Sequence, residues 1–254
     1  MGYLHKGHIS LIKESKKKTD VTVVSVFVNP TQFAPNEDFS KYPRDIEKDT
    51  MLLSEEGVDF LFYPSVKEIY SDNYQTSVEV SDITKILEGE FRPTHYKGVT
   101  TVVAILFNCV NPDFAFFGQK DAQQTAVIRQ MVNDLKYDIE IVVCPIVRED
   151  DGLAMSSRNI FLSPIEREKA LIINKSLIQA NDIIVSGEHN VKNIIKKINN
   201  NFIRESTVHL HYLRIVKAET FKEIEKLEVK KSYYVLIAAK VGTTRLIDNL
   251  LIHL

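Results

Sequence analysis

The strongest constraint on the fold is a succession of short apolar segments that alternate with helical patterns. The apolar segments are rich in β-branched and aromatic residues and occupy residues 21–28, 58–63, 114–117 and 139–144. Strands buried on both faces of a parallel sheet have this composition, because neither face meets water. Helix-forming patterns separate them, at residues 7–18, 43–56, 99–109 and 121–135. This alternation predicts an α/β fold with a Rossmann-like, doubly wound parallel sheet.

The pattern changes after residue 147. A polar stretch, Arg148–Asn159, is interpreted as a linker. Two helical patterns follow, and then three apolar segments with no helix between them, at residues 163–184, 191–203, 208–216, 233–240 and 245–252. Helices followed by uninterrupted strands predict a small α+β domain. We therefore expect two domains, residues 1–147 and 148–254.

Composition limits the functional class. The 254 residues are 44% hydrophobic and 26% charged, as in ordinary globular proteins, and the formal net charge is −2. That charge does not favour nucleic acid as a partner. No apolar run approaches the roughly 18 residues that span a bilayer, so no membrane partner is expected. Cys109 and Cys144 lie in apolar runs and are expected to be buried free thiols in a reducing cytoplasm.

The first residues carry the clearest chemical motif. His5 and His8 are three positions apart, with Gly7 before the second, and an amphipathic helical pattern begins there. Residues three apart on a helix share one face, and a helix N-terminus attracts anions such as phosphate. Imidazoles at that place can hydrogen-bond a phosphate under attack. Two alternatives stay open: solvated histidines, or a metal site, although no further ligands lie nearby in sequence.

Ligands of open α/β sheets bind at the carboxyl ends of the strands. That rule directs attention to Gly118, Lys120 and Asp121, which follow an apolar segment and precede a helix. Lys120 can pair with phosphate and Asp121 can accept from ribose hydroxyls. Capping of the helix by Asp121 is an equally good interpretation. Neither a Gly-x-Gly-x-x-Gly motif nor a Walker-type loop is present in the sequence.

Other polar groups occur in predicted loops. Ser156, Ser157 and Arg158 suit an oxyanion such as a triphosphate tail, although a surface turn with an exposed arginine explains them as well. Gln32 and Gln124 can hydrogen-bond a small polar substrate, but their spacing alone does not establish this. A cluster of polar residues in a loop can add further groups: Glu88, Arg92, His95 and Tyr96.

Taken together and in this order, the motifs resemble the pantothenate synthetase (pantoate–β-alanine ligase) family. The matching pieces are residues 1–8, 26–33, 98–103, 117–124 and 148–159, and the resemblance covers essentially the whole chain. His-x-Gly-His alone is shared with cytidylyltransferases and other nucleotidyl-transferring enzymes. Its combination with Asn-Pro-x-Gln-Phe and Ser-Ser-Arg-Asn is far more specific.

The resemblance implies an enzyme, a cytoplasmic homodimeric ligase with a Rossmann-type N-terminal domain and a smaller hinged C-terminal domain. Its substrates would be pantoate, β-alanine and ATP with Mg²⁺. Pantoate would react with ATP to give pantoyl adenylate and pyrophosphate, and β-alanine would then give pantothenate and AMP. Two alternative hypotheses remain: a cytidylyltransferase-type nucleotidyltransferase, and a truncated, non-catalytic nucleotide-binding homologue.

The resemblance also implies roles for individual residues. His5, His8 and Lys120 would be catalytic and would contact the phosphates. Further ATP contacts would come from Met1, Gly118, Asp121, Met155, Ser156, Ser157 and Arg158, the last three closing over the pyrophosphate end. Gln32 and Gln124 would bind pantoate. Asn29, Glu88 and Arg92 are weaker carry-overs, and no metal ligand is assigned.

Members of the family usually carry a segment upstream of the motif's methionine. That segment ends in a buried strand and a Pro-Thr pair, whereas this sequence starts at Met1. The resemblance implies that the first strand of the sheet is missing and that its apolar neighbours are uncovered. Such a loss costs several kcal/mol, comparable to the stability of a whole domain. We therefore expect the 254-residue chain to be poorly stable or inactive and a longer chain to be an active ligase.

Overall fold

The computed structural model describes residues 2–34, 37–205 and 207–254. Met1, one of the predicted ATP-binding residues, lies outside them. The chain divides into two compact units, Met1–Pro145 and Ile146–Leu254, and each has its own hydrophobic core. No helix within the described ranges combines the length and apolarity needed to cross a bilayer.

The described part of the N-terminal unit contains six α-helices and four strands. The helices are α1 Lys6–Lys18, α2 Ile46–Glu55, α3 Val66–Ile69, α4 Glu88–Phe91, α5 His95–Val110 and α6 Ala122–Leu135. The strands are β1 Val23–Ser25, β2 Phe60–Phe62, β3 Phe114–Gly118 and β4 Glu140–Cys144. Helices and strands alternate, as the sequence predicts.

The strands pair in parallel, β1 with β2 and β3 with β4. Among the described residues these are two separate two-stranded sheets, so the predicted single sheet is not continuous. The prediction that residues 21–28 are buried on both faces is wrong, because Val21 and Val23 are 55% and 37% exposed while Val24 is 3% exposed. Helices α1 and α2 cover only the face that carries Val24 and Val26.

The helix boundaries follow local capping chemistry. Helix α2 begins at Ile46 and not at Pro43, because the Asp45 carboxylate accepts a hydrogen bond from the Lys48 N–H at 3.0 Å. Gly57 ends it at a φ of +64°, the left-handed conformation that glycine adopts without a Cβ clash. Both ends therefore have a specific chemical cause.

Helices α5 and α6 bury a common core in which Val102 and Phe107 meet Ile128 and Met131. Cys109 faces away from that core and is exposed, which corrects the prediction of a buried thiol, whereas Cys144 is buried as predicted. Helix α5 is buried all round from Gly98 to Ala104, whereas its last turn is covered on one face only and leaves Cys109 exposed.

The C-terminal unit contains two long helices and an antiparallel sheet. Their bounds are α7 Pro164–Val185, α8 Val191–Arg204, β5 Val208–Lys217, β6 Ser232–Val241 and β7 Thr244–His253. The strand order is β5-β6-β7, and apolar side chains of both helices share one core with the sheet. The predicted α+β character of this unit is confirmed.

The interpretation of Arg148–Asn159 as a linker is wrong. Residues 147–155 form a tight hairpin in which the Glu149 N–H donates to the Leu153 carbonyl and the Met155 N–H donates to the Val147 carbonyl, at 2.8 and 3.0 Å. Gly152 makes the turn with a φ of +93°. Polar composition is shared by flexible linkers and by hairpins held through charged side chains, and only the contacts distinguish them.

Candidate active site

His5 and His8 form the N-terminal cap of helix α1. The His5 Nδ1 atom accepts a hydrogen bond from the Gly7 N–H at 3.1 Å, and the His8 Nδ1 atom accepts one from the His5 N–H at 3.3 Å. The two rings lie side by side, with centroids 3.9 Å apart. Imidazoles here do what Ser and Glu do in an ordinary capping box.

This geometry fixes the protonation of both rings. A nitrogen that accepts a hydrogen bond carries no proton, so each neutral ring holds its proton on Nε2. Burial, and after it the neighbouring His5 ring, holds the pKa of His8 well below its usual range. The His8 ring is therefore a neutral donor at neutral pH. Two Nε2–H donors beside a helix N-terminus suit an anionic oxygen.

Asp49 fixes the chain that leads into this motif. Its side chain is 1% exposed, and its two carboxylate oxygens accept hydrogen bonds from the Tyr3 and Leu4 N–H groups at 2.8 and 2.6 Å. Tyr3 has a φ of +53°, which is unfavourable for a residue with a Cβ. Asp49 thus holds a strained turn directly before His5. This role could not be predicted from the sequence, because a polar residue within a helix gives no sign of a partner 45 residues away.

Lys120 and Asp121 lie where β3 ends. Lys120 acts with burial and His5 to lower the pKa of His8, so the ammonium group and the imidazole share one electrostatic environment. The Lys120 Nζ atom is 3.7 Å from an Asp121 carboxylate oxygen. Asp121 is the N-cap residue of α6, but its side chain caps none of the helix N–H groups. Of the two interpretations left open by the sequence, side-chain capping is therefore wrong, and the contact given for this carboxylate is with Lys120.

Gln32 ends a short 3₁₀ turn, Pro30–Gln32, that Asn29 holds in place. The buried Asn29 amide donates to the Gly98 carbonyl and accepts from the Thr31 N–H and the Tyr70 hydroxyl, at 3.0, 3.2 and 2.9 Å. Both the nitrogen and the oxygen of this amide are therefore engaged by other residues of the chain. Asn29 therefore has the contacts of a positioning residue. The Gln32 side chain makes no hydrogen bond to any described residue and is half-buried.

Gln123 and Gln124 are neighbours on α6, and they differ in whether their side-chain amides form hydrogen bonds within the protein. The Gln123 amide is buried, accepts from the Glu88 N–H and donates to the Ile83 and Ile86 carbonyls, at 3.0, 2.8 and 2.8 Å. The Gln124 amide is half-buried and forms no hydrogen bond within the described part of the chain. Gln32 and Gln124, the pair singled out in the sequence, are thus both half-buried and make no side-chain hydrogen bond to the described residues.

Arg92 and His95 contact the Gln32 carbonyl, and Glu88 acts on His95 through its charge. Glu88 is buried at the start of α4. Arg92 forms a bidentate ion pair with Glu37, with N–O distances of 2.6 and 2.8 Å. Burial, and then the Arg92 charge, lower the pKa of His95 to about 4. Arg92 is therefore already paired within the protein.

Ser156, Ser157 and Arg158 lie in the C-terminal unit. The Ser156 hydroxyl caps a 3₁₀ turn, Ser157–Phe161, by accepting from the Arg158 N–H at 3.3 Å. Met155 closes the preceding hairpin through its backbone. Around this segment, Arg148 pairs with Asp248 at 2.6 and 3.1 Å, and Arg167 pairs with Glu149 at 2.7 Å. The hydroxyls and the guanidinium are thus carried on a loop with a defined shape.

Within the described residues, no group of three or more His, Cys, Asp or Glu side chains is arranged to hold a metal ion. A Mg²⁺ ion that arrives with a nucleotide takes most of its ligands from phosphate oxygens and water, and needs no protein cage.

The fold and the site define a class of protein: an α/β protein with parallel strands, paired imidazoles at a helix N-terminus, and a lysine and an aspartate at a strand end. A model of the pantoate-beta-alanine ligase family matches residues 1–251. A pantothenate synthetase from Caldicellulosiruptor saccharolyticus is 53% identical over 253 residues, which are 100% of this chain and 89% of that protein. The chain belongs to the pantoate–β-alanine ligase family.

Solved structures agree. The crystal structure of pantothenate synthetase from Thermus thermophilus is similar with a TM-score of 0.94 and 42% identity, covering 98% of this chain and 90% of that one. The ligase from Francisella tularensis, complexed with beta-gamma ATP and β-alanine, has a TM-score of 0.80 and 38% identity, covering 99% and 87%. Both are similar along nearly the whole chain, so the likeness includes both units.

Proposed function

We propose that this chain joins pantoate to β-alanine at the expense of ATP, through an enzyme-bound pantoyl adenylate. The observation that carries the proposal is the pair of imidazole Nε2–H donors at the start of α1. The charge of Lys120 helps to lower the pKa of one of them, His8. Membership of the ligase family supplies the substrates, and the two unused glutamine amides suit a small hydroxy acid.

In the first half-reaction, a pantoate carboxylate oxygen attacks the α-phosphorus of ATP. A P–O bond forms, the bond to the β-phosphate breaks, and pyrophosphate leaves. This reaction requires positioning and stabilisation of charge, and it needs no covalent nucleophile from the protein. His5 and His8 donate to the α-phosphate oxygens, Lys120 balances their charge, and Asp121 accepts from the ribose hydroxyls.

In the second half-reaction, the β-alanine amine attacks the carbonyl carbon of the adenylate. A C–N bond forms, the C–O bond to AMP breaks, and the amine loses a proton. Gln32 and Gln124 hold the pantoyl group in both steps. Ser156, Ser157 and Arg158 bind the pyrophosphate-forming end of ATP and exclude water, because water would hydrolyse the adenylate.

Finer features belong to the same proposal. Residues 1–147 form a Rossmann-like domain for ATP and pantoate, and residues 148–254 form a smaller lid domain. ATP enters with Mg²⁺, which neutralises phosphate charge, and Gly118 and Met155 contact the nucleotide. The active form is a cytoplasmic homodimer. Sedimentation at micromolar concentration tests the dimer, and removal of Mg²⁺ with EDTA tests the metal.

Oxygen transfer tests the route. Pantoate labelled with ¹⁸O in its carboxylate should pass one label to AMP, because the attacking oxygen stays with phosphorus when the C–O bond breaks. The product AMP is analysed by mass spectrometry, with ATP and CTP supplied in parallel. Unlabelled AMP would contradict the adenylate, and a preference for CTP would support the cytidylyltransferase reading.

A further inference from the structure

The side chains of His95 and Arg92 both donate to the backbone carbonyl of Gln32. None of the roles described above explains these two contacts. The His95 Nδ1 atom lies 3.0 Å from the carbonyl oxygen and the Arg92 Nη2 atom lies 3.3 Å from it. A carbonyl can only accept, so both nitrogens donate. His95 is 8% exposed and the Arg92 side chain 15% exposed. Contacts as sheltered as these fix a backbone geometry more firmly than contacts at an open surface.

The same groups fix the tautomer of His95. The Arg92 Nη1 atom lies 3.3 Å from His95 Nε2, and a guanidinium only donates, so Nε2 accepts and Nδ1 carries the proton. Arg92 is itself oriented by Glu37, through two hydrogen bonds of 2.6 and 2.8 Å. Glu37 also accepts from the Ala34 N–H at 3.3 Å. One chain of contacts thus runs from Glu37 through Arg92 and His95 to the Gln32 carbonyl.

Helix α5 also approaches the turn through its backbone. A Cβ on Gly98 would lie 2.5 Å from the Thr31 carbonyl oxygen, so helix α5 and the turn are in direct backbone contact. The turn is therefore held by the backbone of α5 at Gly98 and by the side chains of Arg92 and His95, of which His95 is the first residue of α5. The Gln32 side chain has no hydrogen-bond partner among the described residues, although its backbone is held firmly. A preorganised binding group is expected to have this arrangement.

We infer that Glu37, Arg92 and His95 are positioning residues that set the Gln32 side chain for pantoate, and that Arg92 is not itself a pantoate ligand. The inference rests on the proposed function, because it takes Gln32 as the pantoate-binding group. It separates two roles for Arg92. If Arg92 bound pantoate directly, Glu37 would compete with pantoate for its guanidinium group. If Arg92 is a positioning residue, its orientation depends on Glu37.

Two matched substitutions test the His95 contact by equilibrium binding of pantoate and, separately, of ATP. In His95→Asn the amide nitrogen occupies the place of Nδ1 and still donates to the Gln32 carbonyl. In His95→Gln it reaches the place of Nε2 and faces Arg92 instead. We expect the pantoate Kd to stay within about twofold in the first variant and to rise roughly 3- to 10-fold in the second, the worth of one hydrogen bond. The ATP Kd should stay unchanged in both.

Glu37→Gln distinguishes the two roles of Arg92. The inference predicts a pantoate Kd raised roughly 3- to 10-fold, because Arg92 loses a charge-assisted partner and its orientation. An unchanged or lower Kd would overturn the inference, and so would equal losses for pantoate and ATP, which indicate general disruption. His253→Asn is the control, since the His253 ring contacts the Ser232 hydroxyl on the surface of the other unit.

A readout independent of pantoate separates failure of the inference from failure of the proposed function. Long-range ¹H–¹⁵N spectra of the imidazoles should show His95 protonated on Nδ1, with loss of that signal in His95→Gln. Protonation on Nε2 would overturn the inference whatever the enzyme does. The expected tautomer combined with no pantoate binding by the unmodified chain would overturn both the positioning of a pantoate ligand and the proposed function.

Discussion

At the scale of single residues, the imidazoles of the N-terminal motif combine two tasks. Each ring uses Nδ1 to accept from a backbone N–H, which places the proton of the neutral ring on Nε2. The capping contact orients the ring, so the donor is placed before any substrate binds. Preorganised donors of this kind are worth more than flexible ones, because no reorganisation accompanies the reaction.

Replacing His8 by Asn separates the two tasks. The Asn carbonyl can still accept from the His5 N–H, but the Nε2–H donor is lost. We expect pyrophosphate release to slow on the order of 10²- to 10³-fold, the usual cost of one transition-state donor. The melting temperature should change little. Steady-state kinetics and a thermal melt of His8→Asn, beside His253→Asn, check this, and near-normal turnover would contradict the role given to His8.

Asp49 shows how a residue outside the motif can hold it. Its carboxylate is buried and accepts two backbone N–H groups, so Asp49→Asn turns one acceptor into a donor that faces the N–H of Tyr3 or Leu4. We expect a loss of about 1–3 kcal/mol in unfolding free energy and a fall in kcat. Urea denaturation and pyrophosphate assays measure both. Full stability with full activity would rule out this role.

His95 predicts a dependence of stability on pH. Its pKa in the folded protein is about 4 against 6.5 when unfolded, lowered by burial and Arg92 and opposed by Glu88 and Glu37. The unfolded state binds more protons between these values, so His95 lowers the unfolding free energy as pH falls from 6.5 to 4. The full effect is about 3 kcal/mol.

Carboxylates also make the unfolding free energy depend on pH, and they titrate in both proteins. Comparing His95→Asn with the unmodified chain therefore isolates the contribution of His95. Urea denaturation at pH 7 and pH 4.5 should show a smaller acid-induced loss in the variant, because Asn does not titrate. Identical losses in the two proteins would mean that His95 does not take up a proton on unfolding.

At the scale of elements, Gly98 sets the distance between helix α5 and the turn that carries Gln32. Gly98→Ala places a Cβ 2.5 Å from the Thr31 carbonyl oxygen, so the turn must move. We expect a loss of about 1–3 kcal/mol in stability and weaker pantoate binding. Cys109→Ala, on the exposed part of the same helix, is the control. Unchanged pantoate binding by Gly98→Ala would contradict the account of the turn.

The hairpin before Ser156 depends on a pair with a buried carboxylate. Asp248 is 4% exposed, and Arg148 binds it while also donating to the Gly152 carbonyl at 3.2 Å. Arg148→Met leaves that charge without its guanidinium and should cost about 3 kcal/mol. Adding Asp248→Asn should recover part of the loss. Urea denaturation of the single and double variants checks this, and equal stabilities would contradict it.

Element order was predictable because hydrophobic periodicity is a local property. The helices α7 and α8 and the three C-terminal strands lie within a few residues of their predicted bounds. The burial of Val23 and Cys109 was mispredicted, since an apolar residue does not reveal whether another element covers it. The contacts of Glu37, Asp49 and Gln123 were missed for a related reason, because each joins residues distant in sequence.

At the scale of the whole molecule, the described strands form two parallel pairs and one antiparallel sheet. The motif residues are divided between the units: His5, His8, Lys120 and both unpaired glutamines belong to Met1–Pro145, and the serines and Arg158 belong to Ile146–Leu254. Family membership rests on the full length of the chain and not on one motif.

The most direct measurement is pyrophosphate release in a single turnover, with the chain, Mg-ATP and pantoate but no β-alanine. The account predicts a burst of about one pyrophosphate per active site, with pantoyl adenylate retained, and steady release of AMP and pantothenate once β-alanine is added. Release that does not require pantoate, or no release with all substrates present, would contradict the central claim that this chain makes and uses pantoyl adenylate.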